Sequence, residues 1–181
     1  VRKAQNQYIW DDKGKKYTDF FSGISVCNLG HCDKKVISAI KKQIDCFLHI
    51  SNLYYAKPQA ELAKELVLKS FGKGAKVFLA NSGAEANEGA IKMARKYGKV
   101  HKSKNNKERF EIITFKNSFH GRTLATLSAT GQDKFHNLIA PLVEKFVYAD
   151  FNNIESVKKL VNSNTVAVMV EPFQCEGGMI P

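Results

Sequence analysis

Apolar and polar positions change their period along the chain, and the change divides it into two stretches. Residues 7–12 and 16–21 alternate and predict two short strands, with Asp12-Lys13-Gly14-Lys15 as the turn of a hairpin. Gly23 through His31 is punctuated by glycine and reads as a loop. Asp33 stands at a capping position before a helix that runs to about Phe47, because Val36, Ile37, Ile40 and Ile44 recur at the helical period. Pro58 opens a second helix, and Leu62, Ala63, Leu66 and Val67 form its apolar stripe.

Beyond that point strands and helices take turns. Strands are predicted over Lys76–Ala80, Phe110–Phe115, Lys145–Tyr148 and Thr165–Val170, and helices over Ala84–Tyr97 and Thr123–Ala129. Asn152 is expected to cap a further helix to Val161, with Glu155 completing a capping-box pattern. Such alternation implies an α/β fold of three layers, a largely parallel sheet with helices on both faces. A soft boundary near residue 50 separates an N-terminal hairpin-and-helix segment, 1–50, from the alternating segment, 51–181.

Composition removes several alternatives. The chain has 181 residues, 44% of them hydrophobic and 25% charged, which is ordinary for a globular protein. No apolar run approaches the roughly 20 residues of a membrane span, and the polar N-terminus lacks a signal-peptide core, so a cytoplasmic protein without membrane contact is expected. The formal charge is +11, but the basic residues are scattered, and the densest stretch, Lys102 to Arg109, is an Asn-rich solvated loop. Nucleic acid is therefore not an expected partner. Cys27, Cys32, Cys46 and Cys175 form no C-x-x-C pair and are expected as reduced thiols, with no metal site and a structural role for His31.

Three loops leave the carboxyl ends of predicted strands, where open α/β sheets bind ligands. Asn81-Ser82-Gly83-Ala84-Glu85 joins a capping pattern to a glycine and a helix start, which is a phosphate site by construction, although Ser-Gly also begins many helices. Asn117-Ser118-Phe119-His120-Gly121-Arg122-Thr123 places a flat ring, Phe119, beside a planar carboxylate fork, Arg122; the plainer reading is a core phenylalanine and a surface charge. Glu171-Pro172-Phe173-Gln174-Cys175-Glu176-Gly177-Gly178 sets Glu171 directly after a buried run and Glu176 before two glycines. Together the three suit a phosphorylated aromatic cofactor acting on an amino or keto acid, and pyridoxal phosphate meets that description. Neither G-x-G-x-x-G nor G-x-x-x-x-G-K-[ST] is present to favour a nucleotide.

At these residues the chain resembles the fold-type I, class III aminotransferases. The likeness runs from Gly14 through Ser22-Gly23-Ile24, Leu29-Gly30-His31, Leu48-His49-Ile50-Ser51-Asn52, Asn81 to Glu88, Phe119 to Leu124, and Val170 to Gln174 with Glu176-Gly177-Gly178. It is nearest to the acetylornithine-type branch, and the ornithine, succinylornithine and 4-aminobutyrate branches share most of the motifs. The chain departs from the family at Asp33-Lys34, where His-Pro is usual, and at Cys175, where a small residue is usual.

The resemblance implies roles and partners. Gly83 and Ala84 would bind the cofactor phosphate, with Ser82 in support, and Phe119 would stack on the pyridine ring. Arg122 would hold a substrate carboxylate, Glu171 would support the cofactor network, and Glu176 would act as the gating glutamate that pairs with a second arginine. Asn52 would reach substrate from the entrance. The expected activity moves the terminal amino group of N-acetylornithine to 2-oxoglutarate, in arginine biosynthesis, by a homodimer. Residues 1–50 would contribute to the small domain and dimer contacts, and 51–181 would be the first half of the cofactor domain. No catalytic residue is expected in this chain: the family's Schiff-base lysine, its aspartate and its second arginine fall past Pro181, so the chain reads as an N-terminal half that is inactive alone. A non-catalytic binding or dimerisation remnant is the alternative from another class.

Overall fold

Alternation near the N-terminus produces a three-stranded antiparallel sheet, in a computed structural model that describes residues 1–72, 74–137 and 139–181. Strand β1, Lys3–Gln5, pairs with β2, Tyr8–Trp10, which pairs with β3, Lys16–Thr18, Tyr8 facing Thr18. The expected hairpin is there, with β1 added to its free edge. Its turn hangs on Asp11, one residue earlier than the expected turn: the carboxylate accepts from the N–H groups of Lys13 at 3.0 Å and Lys15 at 2.9 Å. Gly14 supplies the positive φ of 83° that closes the turn.

The glycine-punctuated loop contains a short turn, α1, Ser22–Ser25, whose four residues all have φ between 49° and 63°. Left-handed backbone costs about 1–2 kcal/mol for each residue that carries a Cβ. Asp19 offsets it, accepting from the N–H groups of Phe21 at 2.8 Å and Ser22 at 2.9 Å. His31 Nε2 lies 2.6 Å from the other Asp19 oxygen, and that hydrogen bond, first among the causes, holds the Asp19 carboxyl below its ordinary pKa. His31 thus has a structural partner.

Helix α2, Lys34–Ile44, starts at the expected cap: Asp33 accepts from the N–H groups of Lys35 and Val36. It stops short of Phe47. Helix α3, Lys57–Leu66, has Pro58 in its first turn and runs on into a π turn, Val67–Phe71. These elements make up a compact unit, Val1–Ala75, in which no described residue is fully buried. Of the predicted stripe of α2, Ile37 is half-buried, and Val36, Ile40 and Ile44 remain 42%, 52% and 49% exposed.

The second unit, Lys76–Pro181, holds the alternating strands and helices of the expected segment 51–181, whose helix α3 falls in the first unit. Its expected first strand, Lys76–Ala80, is not formed: these residues pair with no other strand among those described. Apolar β-prone residues suffice to write a strand into the sequence, but a ladder requires a neighbour. Helix α4, Gly83–Val100, is followed by β4, Glu111–Phe115; α5, Leu124–Ala129; β5, Phe146–Ala149; α6, Ile154–Leu160; and β6, Thr165–Val168. The three strands form a parallel sheet in the order β5-β4-β6. Ile113 and Phe115 face α6 through Val157 and Leu160, while Thr114, one residue out of phase, bonds the last carbonyl of α5 on the opposite face. Helices therefore cover both faces, as the alternation implied.

Asn153, not Asn152, caps α6, its side chain accepting from Ser156 N–H at 3.1 Å. Asn152 has φ of 58°, a conformation outside the extended region that a cap requires. Glu155 pairs with Lys158 instead of completing a capping box.

Candidate functional site

The strand order locates the crevice. From β4 the chain crosses to β5 on one side and returns to β6 on the other, so the loops after β4 and β6 part at their carboxyl ends. Structure then ties the two loops together. The N–H of Phe119 donates to Glu171 Oε2 at 3.1 Å. The buried side chain of Gln174 donates to the carbonyl of Lys116 at 2.9 Å.

The start of α4 closes the same crevice. Gly121 has φ of 130°, and a Cβ there would lie 2.8 Å from the Ala84 Cβ, so only glycine allows this approach. Asn87 Nδ2 donates to the His120 carbonyl at 2.8 Å, and the Thr123 hydroxyl donates to Glu88 at 2.6 Å. Three loops distant in sequence thus meet, and bring Gly83, Ala84, Phe119, Arg122 and Glu171 to one end of the sheet.

At α4 the Ser82 hydroxyl accepts from Glu85 N–H at 3.1 Å. The reciprocal bond departs from the expected box, because Glu85 Oε2 accepts from Asn81 N–H, at 2.6 Å, rather than from Ser82. That leaves the Ser82 N–H free, and the first-turn N–H groups of Gly83 and Ala84 likewise have no acceptor among the described residues. A Cβ on Gly83 would meet nothing within 4 Å, so the surface at that residue is open. Consecutive free donors at the positive end of an 18-residue helix fit a phosphate. In the loop that Gly121 joins to Ala84, the half-buried ring of Phe119 supplies an aromatic face. The donor set therefore fits a phosphorylated aromatic ring.

His120 lies beneath the crevice, 5% exposed. Burial lowers its pKa from 6.5 to about 4, so the ring is neutral near pH 7. The hydroxyl of Thr114 donates to the Ala129 carbonyl at 2.8 Å and must then accept from His120 Nε2, 3.0 Å away. That assigns the proton to Nε2. The His120 N–H donates to Thr130 Oγ1 at 2.9 Å. Ring, N–H and carbonyl are all held, and so is the peptide between Phe119 and Arg122.

Arg122 is exposed and forms no ion pair among the described residues. Its guanidinium lies 4.4 Å from the ring centroid of Phe135 and 6.0 Å from that of Phe119. Glu171 is held above its ordinary pKa, first by burial and also by the charge of Glu176, against which the Phe119 N–H acts. Glu176 is exposed on a loop closed by pairing of Gln174 with Ile180. Asn52 belongs to the other unit, where it lines a hollow of about 240 Å³ with Gln43, Phe47 and His49.

Sequence reasoning missed Asn87, Thr114 and Phe135. Thr114 had a signal, a polar residue inside the apolar run of β4, and Asn87 falls one turn after Ala84. Phe135 had none. No helix among the described residues is long and apolar enough to cross a membrane.

Comparison with known proteins gives this geometry a family context. The chain matches the aminotransferase class-III family over residues 1–181. It is 50% identical over 179 residues to the acetylornithine aminotransferase of Wolinella succinogenes, covering 99% of this chain and 44% of that protein. Likeness to the acetylornithine aminotransferase of Methanocaldococcus jannaschii is again 50%, over 98% of this chain and 43% of the relative. The chain thus spans less than half the length of the curated relatives it matches. Among solved structures, the ornithine aminotransferase of Toxoplasma gondii, described with PLP at partial occupancy in its active site, superposes with a TM-score of 0.86 at 28% identity, over 99% of this chain and 42% of that one. A transaminase from the marine bacterium Virgibacillus superposes at 0.87 with 25% identity, over 99% of this chain and 43% of that one.

Proposed function

The chain belongs to the class-III aminotransferase family, whose cofactor is pyridoxal phosphate, and from that premise we propose that the whole protein transfers the terminal amino group of N-acetylornithine to 2-oxoglutarate. The products are N-acetylglutamate semialdehyde and glutamate, a step of arginine biosynthesis. The observation that carries this reading is the meeting of three loops at one crevice, through the Phe119–Glu171 hydrogen bond and the Gly121–Ala84 contact. The relatives that share half of the chain's residues, named as acetylornithine aminotransferases, support the choice of donor.

In this reading the N–H groups of Ser82, Gly83 and Ala84 hold the cofactor phosphate, and Phe119 covers one face of its ring. When bound, the cofactor supplies an electron sink for proton removal at the amino-bearing carbon. Arg122 orients the donor by its carboxylate, whose position sets which amine reaches the reacting centre. Glu171, whose carboxyl burial holds above its ordinary pKa, fixes the Phe119 peptide. Glu176 gates a second arginine, and Asn52 touches substrate. None of the lysines here is assigned to bond the cofactor; Lys116, in the loop after β4, is paired with Asp150 at 2.6 Å. Residues 51–181 form the first half of the cofactor domain, and 1–50 part of the small domain and the contacts of a homodimer. The four free cysteines agree with a cytoplasmic setting.

The test is turnover by the protein at its full natural length, with 2-oxoglutarate as acceptor. Acetylornithine should be preferred to ornithine and 4-aminobutyrate. Faster turnover of either of those would move the protein to another ω-amino acid branch, and no turnover with cofactor bound would leave a binding module.

A further inference from the structure

Arg122 owes its placement to an aromatic ring rather than to an acid. Besides the guanidinium 4.4 Å from the Phe135 centroid, the two rings Phe135 and Phe119 meet edge to face, with centroids 6.3 Å apart at 70°. The Lys134 ammonium lies 4.8 Å from the same Phe135 ring. That ring therefore carries two cations, and neither has a carboxylate partner among the described residues. Phe135 ends a short 3-10 turn, Asp133–Phe135, that is itself fastened to the crevice. Its N–H donates to the Gln132 carbonyl at 3.0 Å, and the buried Gln132 side chain donates to the Ser118 carbonyl, also at 3.0 Å. The platform under Arg122 is thus anchored one residue from Phe119.

We propose that Phe135 is a positioning residue for substrate selection: its ring holds the Arg122 guanidinium beside Phe119, ready for a carboxylate remote from the reacting amine. An arginine free in solvent loses rotamer freedom when it binds a ligand, and that loss weakens binding. A ring that already holds the cation removes part of it. Leucine at 135 keeps the apolar bulk but has no ring quadrupole, whereas tyrosine keeps both. The inference rests on the reading of Arg122 as the contact for substrate carboxylate.

The experiment uses the full-length, cofactor-loaded protein with Phe135→Leu, Phe135→Tyr and Arg122→Lys. It reads KM and kcat for acetylornithine, turnover of pentylamine, which has no carboxylate, and the calorimetric affinity of N-acetylnorvaline, which lacks the reacting amine. Phe135→Leu should raise KM for acetylornithine and the dissociation constant of N-acetylnorvaline by about threefold to fivefold, the range of a cation–ring contact. Its kcat, its turnover of pentylamine and the absorbance of its cofactor should stay as in the parent, and Phe135→Tyr should restore both affinities. Parental affinities in Phe135→Leu, alongside weakened ones in Arg122→Lys, overturn this inference alone. Equal losses for pentylamine and acetylornithine also overturn it, because they reveal a merely structural role. Unchanged affinities in Arg122→Lys overturn the carboxylate reading beneath it.

Discussion

Arg122 has a ring beneath its guanidinium and no ion pair among the described residues, and a planar fork so placed recognises a carboxylate by two parallel hydrogen bonds. Lysine keeps the charge but loses the fork. Arg122→Lys should therefore raise KM for acetylornithine at least tenfold, roughly the 1.4 kcal/mol of a lost charge-assisted hydrogen bond, while the cofactor dissociation constant changes little. Steady-state kinetics and a cofactor titration of the full-length protein check both halves. Under the proposed reading Phe119 has the opposite profile, because its ring would cover the cofactor rather than the substrate carboxylate. Loss of an aromatic pair costs about 1 kcal/mol, so Phe119→Ala should weaken cofactor binding about fivefold or more and alter its absorbance. An unchanged spectrum and affinity would remove Phe119 from the site. Both residues stood out in the sequence because placing a ring and a guanidinium in a glycine-containing loop at a strand end is costly unless a ligand uses them. Phe135 did not, because its partners come from another loop and nothing local distinguishes it from a core phenylalanine.

At the scale of elements, one close fit sets how α4 packs at the amino end of β4, and one brace lies beneath the crevice at the other end. A Cβ on Gly98, near the end of α4, would lie 1.9 Å from the backbone oxygen of Arg109, on the segment leading into β4. Alanine improves helix propensity by about 1 kcal/mol, but overpacking against backbone costs about 1–3 kcal/mol or more and has no flexible side chain to absorb it. Gly98→Ala should thus lower the thermal midpoint, against the direction propensity alone predicts. The brace beneath the crevice gives a pH signature. His120 has its pKa lowered to about 4 when folded, against about 6.5 when unfolded, so acidification loads a proton on the unfolded chain first. Its stabilising share is complete above pH 6.5 and is lost as pH falls towards 4, a change of about 3 kcal/mol over the whole window. Urea midpoints measured across that window should fall less steeply for His120→Gln than for the parent protein.

For the whole molecule the decisive quantity is uncovered surface. The chain exposes 13870 Å² at a mass of 20.3 kDa. A folded protein of that mass exposes about 8,800 Å², and two separate bodies of the same total mass about 10,500 Å². Phe20 is 94% exposed and Leu53 88%, in a unit that buries no described residue fully. Large apolar side chains left this exposed mark a site of association. The full-length protein should sediment as a dimer, and the 181-residue chain by itself should associate or unfold without a cooperative transition. A monomeric, cooperatively folding 181-residue chain would contradict this.

What the amino-acid order settles by itself is whatever neighbouring residues settle among themselves. Asp33 caps α2 and Ser82 caps α4 because a short acceptor next to free N–H groups is a local matter. The helical stripes and the runs of β4, β5 and β6 were equally legible, since period and turn chemistry act within a few residues. Lys76–Ala80 shows the limit: its composition writes a strand, but strands exist only by pairing, and no described strand pairs with it. Asn152 and Asn153 are the same residue type, and only the backbone path, left-handed at the first, decides which one caps α6. The crevice belongs to the same class. Its loops were visible one by one as unusual compositions, but whether Ala84 touches Gly121, or Glu171 accepts from Phe119, depends on the order β5-β4-β6, a property of contacts between residues far apart in the chain.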